Sequence, residues 1–510
     1  MGRPVRAAFP SSIGEVARWT GVLVAAALLS ACAMGPDYAR PSVTSPDKWR
    51  IDYPQAAGIA NTRWWEQFGD PALNQLIDMA LRQNRDLVIA AARVDQFVGQ
   101  LSVTRSAFYP QLGYSLDASR NRESRVGQPT LAPGADPYYT LYQGALSAAW
   151  QLDFFGRVRR QSEAAQAQVY ASEQGRRGVV LTVVTSVAAS YITLRALDRQ
   201  LEIARATAEN YGETLRIFEL RYQRGVVSEV ELTQVQSQYQ QARAAIPQIE
   251  QQIAVQENLI SILLGRNPGS IPRGKTIDEL AAPGIPANLP SVLLERRPDI
   301  LQAEQTLVAA NANIGAAKTL YFPSLSLTGL LGSVSTALGD FLTGPATAWT
   351  VAAGLTGPIF TFGQIKGQVR SAEGFQREAL SNYQQVILNA FRETNDALVG
   401  TMKKREETQA QAQRVVALRE YARLSRRKFD NGYAGYLEVL YAENELFSAE
   451  LTAVLSLAER YIEIVNVYNA VGGGWIDEAD KRAPKPVADP RRRQLPSPGL
   501  GGEAVPTASR

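Results

Sequence analysis

The chain has 510 residues, with 53 lysines and arginines against 49 aspartates and glutamates, no histidine and one cysteine. Without histidine the commonest general base and the commonest transition-metal ligand are both missing, and a lone Cys32 excludes intrachain disulfides and cysteine-cluster metal sites. Near-balanced charge with no basic stripe gives no sign of nucleic acid, and no GxxxxGK[ST], HExxH or GxSxG run is present.

Residues 1–31 read as a secretory signal peptide: Arg3 and Arg6, an apolar run from Val22 to Leu29, then small residues. The run is too short and too early for a convincing membrane-spanning helix. Leu29-Ser30-Ala31-Cys32 resembles the bacterial lipoprotein box. That resemblance implies diacylation of Cys32, cleavage before it and acylation of the new N-terminus. Three acyl chains exceed the two signals that stable anchoring takes. By the same resemblance, Ala33 in place of an aspartate points to the outer membrane.

After a lipidated linker over 32–65, one long unit occurs twice, over 66–265 and 291–478, joined by a connector at 266–290. Asn84-Arg85-Asp86-Leu87 returns as Arg297-Pro298-Asp299-Ile300, and Phe108 to Leu112 as Tyr321 to Leu325, at an offset of 213. Further on, Phe154 to Arg157 returns as Thr361 to Gln364, Arg221 to Gly225 as Lys428 to Gly432, and Leu264-Gly265 as Val471-Gly472, at an offset of 207. Such a duplication implies a quasi-symmetric structure, and it suits a closed wall better than a catalytic cleft.

Before each long helical stretch lie alternating segments. Leu112, Tyr114 and Leu116 alternate with Gly113, Ser115 and Asp117; Leu146, Ala148 and Trp150 alternate with Ser147, Ala149 and Gln151. In the second copy Leu325, Leu327 and Leu331 alternate with small polar residues, and Trp349, Val351, Ala353 and Leu355 alternate with Thr350, Ala352, Gly354 and Thr356. This predicts two strand hairpins. A half-buried soluble sheet and a membrane barrel share the pattern. Four strands are too few to close a transmembrane barrel, and open edges are not tolerated in lipid, so strands that span a membrane must be pooled from several chains.

No proline occurs from Arg157 to Ile246 or from Thr361 to Ala483, and both stretches are rich in helix formers. Each predicts a helix of about 100 Å at ~1.5 Å per residue. Gly225 and Gly432 supply the hairpin turns, with return helices from about Val230 to Leu264 and Leu437 to Val471. Residues 479–510 read as a disordered tail.

Together these residues resemble the outer membrane factors of tripartite efflux pumps, in the lipoprotein branch called the NodT family. The resemblance rests on the lipobox with Gly35-Pro36-Asp37-Tyr38, on Trp64-Trp65, on Glu295-Arg296-Arg297-Pro298-Asp299-Ile300, on Ala316-Ala317-Lys318 with Tyr321-Phe322-Pro323, and on Gly472-Gly473-Gly474-Trp475. It implies a homotrimer with a twelve-stranded barrel in the outer membrane and a long α-helical barrel crossing the periplasm. It also implies a periplasmic adaptor and an inner-membrane pump of the resistance-nodulation-division class as partners, no cofactor and no enzymatic step. The resemblance places a periplasmic gate just after the hairpin glycines, at Glu231 and Glu438, with Leu437 as the apolar constriction. Tyr441 and Ala434 depart from the residues many relatives carry there. Two rival readings are a conduit for type I protein secretion and a periplasmic coiled-coil scaffold without a pore.

Overall fold

The computed structural model describes residues 34–42, 62–124, 126, 132, 134–285, 294–472 and 475–487; the signal peptide, Cys32 and Arg491-Arg492-Arg493 lie outside them. The first copy runs α1 (Pro71–Gln83), α2 (Arg85–Ser106), β1 (Gln111–Arg122), β2 (Tyr138–Leu152), α3 (Arg157–Gln223) and α4 (Glu229–Leu263). The second runs α5 (Pro298–Lys318), β3 (Ser324–Ser335), β4 (Thr347–Thr356), α6 (Gln364–Asp430) and α7 (Tyr436–Val471), followed by a short α8 (Trp475–Asp480). Both α3 and α6 have 67 residues. The strands form one antiparallel sheet in the order β1-β2-β3-β4. The six-residue difference between the copies falls between the start of the first strand and the start of the long helix, Gln111 to Arg157 against Ser324 to Gln364, and part of it is the longer connection between β1 and β2.

The two copies are bound by helix packing. α3 contacts α2, α4, α5 and α7, while α6 contacts α5 and α7. Each return helix ends in a left-handed glycine, Gly265 at φ 72° and Gly472 at φ 55°, and each end is keyed by a side chain from the helix pair beside it. Asn84 caps α2 and donates its amide to the Leu263 carbonyl at 2.8 Å. Arg297, its counterpart, donates to the Ala470 carbonyl at 2.9 Å and pairs with Asp299 at 2.6 Å and Glu393 at 2.8 Å. Arg297 is buried. These contacts make a common root for both hairpins.

The largest core surrounds this root. Trp64 stacks on Tyr468 at 4.9 Å, and Trp64 and Trp65 both meet Trp475 edge-on. Two motifs from opposite ends of the chain therefore form one aromatic cluster. One helix among the described residues, α3, holds an 18-residue window of mean hydropathy 1.6, and 61% of that window is buried inside the chain. Val180, Val184, Val187 and Tyr191 from this stretch belong to the root core, so its apolar character serves packing rather than a membrane crossing.

The connector and the start of the tail both take part in the packing. The connector contributes core side chains: Ile271, Ile277 and Leu280 are buried, and Gly274 donates its N–H to the Tyr191 hydroxyl at 2.9 Å. The tail is ordered through residue 487. Arg176, buried on α3, holds Asp480 at 2.6 Å and the Pro484 carbonyl at 3.3 Å. Burial works to raise the Asp480 carboxyl pKa, but Arg176 and Lys485 hold it below the usual aspartate range. Arg482 also pairs with Asp78, Ala483 is buried and the Val487 N–H donates to Asp95, so this stretch is held by contacts distant in sequence, which composition does not encode.

Candidate functional site

The sheet sorts its side chains onto two faces. Leu112 pairs with Ala148, Tyr114 with Leu146, and Leu116 with Gly144. The row continues as Leu146 opposite Leu331, Trp150 opposite Leu327, Leu331 opposite Trp349 and Leu325 opposite Leu355. Every apolar residue singled out in the four alternations therefore lies on one face, and the chain covers little of it: Leu112 is 82% exposed, Val351 78% and Trp349 71%. The other face carries Ser147 and Thr350, both opposite Leu330; it is mostly small and polar, with Leu330, Val334, Leu141 and Tyr139 as its large apolar or aromatic members. Among the described residues β1 and β4 are each paired on one side only.

At the far end of the hairpins both turns are built alike. Gly225 (φ 68°) donates to the Tyr222 carbonyl and Val226 to Arg221; Gly432 (φ 75°) donates to Phe429 and Tyr433 to Lys428. This is the double hydrogen bond that closes a helix on a left-handed residue, and a glycine takes that conformation without steric penalty.

The gate residues expected from sequence all sit at this tip, but in unlike surroundings. Glu231 and Glu438 are both third residues of their helices. Glu231 is bound locally: it accepts from the Ser228 N–H at 2.8 Å and the Ser228 hydroxyl at 3.0 Å, while its own N–H donates back to Ser228. That capping box was legible as Ser-x-x-Glu. In the second copy Gly435 replaces the serine and has no side chain to cap with. Glu438 instead turns to Lys428 at 3.4 Å and accepts from Ser425 at 3.4 Å. Leu437 and Tyr441 are 62% and 59% exposed. Lys428 thus reaches Glu438, whereas Arg221 at the same register of the first copy lies over the rings of Phe218 and Phe429 at 5.8 Å.

Sequence reasoning missed the contact that joins the two tips. Phe218 of α3 meets Tyr436 of α7 at 4.4 Å and Phe429 of α6 at 6.2 Å, and Phe429 meets Tyr436 at 5.2 Å. A turn further in, burial pushes the Glu443 carboxyl up, and Arg426 at 3.6 Å only partly offsets this. No local pattern announces an aromatic cluster drawn from three helices.

The N-terminal segment is strapped across the junction of strands and helices. Arg160 pairs with Asp37 at 2.7 Å and donates to the Met34 carbonyl at 3.1 Å; Asn311 donates to the Pro36 carbonyl at 2.9 Å. Tyr38 donates to Glu304 at 3.2 Å, and Arg40 pairs with the same carboxylate at 3.0 Å. A Cβ at Gly35 would stand 2.4 Å from the Gly315 Cα, so the backbones approach too closely for a side chain.

The model of the family described as outer membrane efflux protein matches residues 76–266 and again 289–473. This chain belongs to that family. The two matched segments begin 213 residues apart and end 207 apart, the offsets of the internal duplication. Among curated relatives, the probable outer membrane lipoprotein SilC of Salmonella typhimurium is 33% identical over 457 residues, covering 88% of this chain and 97% of its own. The toluene efflux pump outer membrane protein TtgC of Pseudomonas putida is 33% identical over 462 residues, covering 89% and 95%. The cation efflux system protein CusC of Escherichia coli is 32% identical over 453 residues, covering 88% and 96%. The solved structure of CusC superposes with a TM-score of 0.76 at 31% identity, covering 86% of this chain and 99% of that one. The outer-membrane channel OprN superposes at 0.78 with 29% identity, covering 87% and 100%. The chain is an outer membrane efflux channel, with the helical hairpins and four-strand membrane share of that fold.

Proposed function

We propose that three copies of this chain form one passive exit duct, and the observation that carries this reading is the pair of open edges on β1 and β4. The exposed apolar face suits lipid, but the unpaired N–H and C=O groups of the two edges are incompatible with a lone chain there. Closing β4 of one chain on β1 of the next gives twelve strands, with the apolar face to lipid and the small polar face to water. The α3–α4 and α6–α7 hairpins then line a tunnel on the periplasmic side. An adaptor and an inner-membrane pump of the resistance-nodulation-division class would deliver small molecules to it. The names of the relatives, toluene efflux for one and cation efflux for another, support small solutes over secreted proteins.

The lipid anchor belongs on Cys32, a reading supported by the relative named as a lipoprotein. Met34 is strapped beside the end of β2 through the Phe155 carbonyl, at 3.5 Å. Two residues reach at most about 7 Å, so acyl chains on Cys32 would enter the membrane close to the barrel rim. Glu231, Glu438, Leu437 and Tyr441 are the gate residues of this reading. The duct performs no covalent chemistry and holds no cofactor.

The test is face-selective. Leu146→Arg or Val351→Arg should block assembly, since arginine on the lipid face near the midplane costs about 2–4 kcal/mol per chain. Ser147→Arg and Thr350→Arg should still give heat-resistant oligomers extracted with detergent. Equal behaviour of the two sets would overturn the barrel.

A further inference from the structure

The apolar face of the sheet changes character at the end farthest from the helices. On that face β1 carries Leu112, Tyr114, Leu116 and Ala118, and then Arg120 and Arg122. Arg120 lies opposite Thr140, and Arg122 opposite Tyr138, whose ring its guanidinium overlies at 5.7 Å. Both arginines are exposed, and among the described residues neither pairs with a carboxylate. Asp117 of the same strand is on the other face, opposite Gln143.

The ladder register fixes the level of this pair. Tyr142 stands opposite Ala118 and Trp349 opposite Leu331, and the duplication makes these two pairs equivalent. They form an upper aromatic belt, the level at which amphipathic rings meet lipid headgroups. Arg120 and Arg122 stand beyond the belt by about 7 and 13 Å along the strand, at ~3.3 Å per residue. Toward the membrane interior the surface is apolar. A Cβ on Gly144 would stand 2.7 Å from the Phe341 Cζ and 2.9 Å from the Leu116 Cδ2, so the β3–β4 connection lays a ring on this face. Leu338 and Leu342 beside that ring are 67% and 89% exposed.

The fold itself does not demand the arginines, because the second copy has Ser333 and Ser335 in their places. An arginine on a lipid-facing surface is costly at the midplane and tolerated at the interface. There its planar fork can take two phosphate oxygens at once. This end of the sheet faces the cell exterior, where the outer leaflet is lipopolysaccharide, a glycolipid whose sugar base carries phosphates above several acyl chains.

We propose that Arg120 and Arg122 bind the phosphates of lipopolysaccharide, with Tyr138 positioning Arg122 and the Leu116–Phe341 shelf receiving acyl chain. The inference rests on the lipid-facing reading of the sheet given above. Each chain carries one such site, on its first copy.

The test uses the full chain, purified in detergent as its assembled oligomer and exposed to bisphosphorylated lipid A, monophosphorylated lipid A or phosphatidylglycerol. Native mass spectrometry counts the lipid retained per chain. Bisphosphorylated lipid A should be retained about fivefold better than either of the others, since two guanidinium forks match two phosphates. Arg120→Gln with Arg122→Gln should lower that retention about tenfold, and Arg120→Lys with Arg122→Lys about threefold, because lysine keeps the charge and loses the fork. Heat resistance of the oligomer should not change. Adding Ser119→Arg and Asn121→Arg to the glutamine variant puts equal charge at the same level of the other face and should restore nothing. Equal retention by the natural and glutamine proteins overturns the proposal, as does equal retention of phosphatidylglycerol. A glutamine variant that loses heat resistance in lipid-free detergent also overturns it, since the arginines would then serve contacts between chains. Restoration by the Ser119 and Asn121 changes would reverse the two faces, so the lipid-facing reading itself would fall and take the proposal with it.

Discussion

The root and the tip of the helical hairpins are built from the same duplicated unit, yet they treat the duplication in opposite ways. At the root, Asn84 and Arg297 differ in chemistry but do the same thing: each donates to a carbonyl in the last turn of a return helix. At the tip, Phe218 and Ser425, or Tyr436 and Glu229, occupy the same register and do different things. Symmetry of contact is kept where the hairpins must stay joined. It is lost at the tip, where Phe218 packs on Tyr436 while its counterpart Ser425 donates to Glu438.

The comparison can be broken most forcefully at Arg297. Arg297→Ala leaves Asp299, Glu393 and the Ala470 carbonyl without their shared donor. Arg297 is buried but Asp299 and Glu393 are each about two-fifths exposed, so the cost should fall below the ~3–5 kcal/mol of a fully buried pair, while still lowering the thermal unfolding temperature of the oligomer more than the next change. Asn84→Ala removes a cap and one interhelix bond and should cost about 1–2 kcal/mol. If Asn84→Ala proved the more damaging, the second root would not be the more heavily keyed of the two.

The smallest effects belong to the tip glutamates. Glu231→Gln should leave stability nearly unchanged, because glutamine also completes a capping box. Glu438→Gln loses an exposed pair with Lys428 and should cost below about 1 kcal/mol. The functional readouts should separate them. Both changes should reduce cation selectivity in planar bilayers, since carboxylates in a narrow mouth concentrate cations. Only Glu438→Gln should also raise the resting open fraction. Equal effects of the two on opening would show that their unlike surroundings do not matter.

Much of the architecture was legible because it is periodic. Alternation placed Leu112, Leu146, Leu331 and Val351 on one sheet face, and the ladder register brings them into line. Gly225 and Gly432 marked the turns because a left-handed residue after a basic-aromatic last turn has few other uses. What stayed hidden depends on contacts distant in sequence. Asn84 and Arg297 were aligned correctly, but the carbonyls they reach are 179 and 173 residues away. The unlike surroundings of Glu231 and Glu438 had a local signal, Ser228 against Gly435, that matched register alone obscured.

The open edges on β1 and β4 also govern the life of a chain before assembly. A newly delivered chain carries two ready templates for strand addition beside an exposed apolar face. Its folded state is inseparable from the concentration of its neighbours. In a three-chain duct, yield at low expression rises with the cube of chain supply, so halving synthesis cuts finished channels by about eightfold in that limit. Supply, as much as sequence, then sets how much a cell can expel.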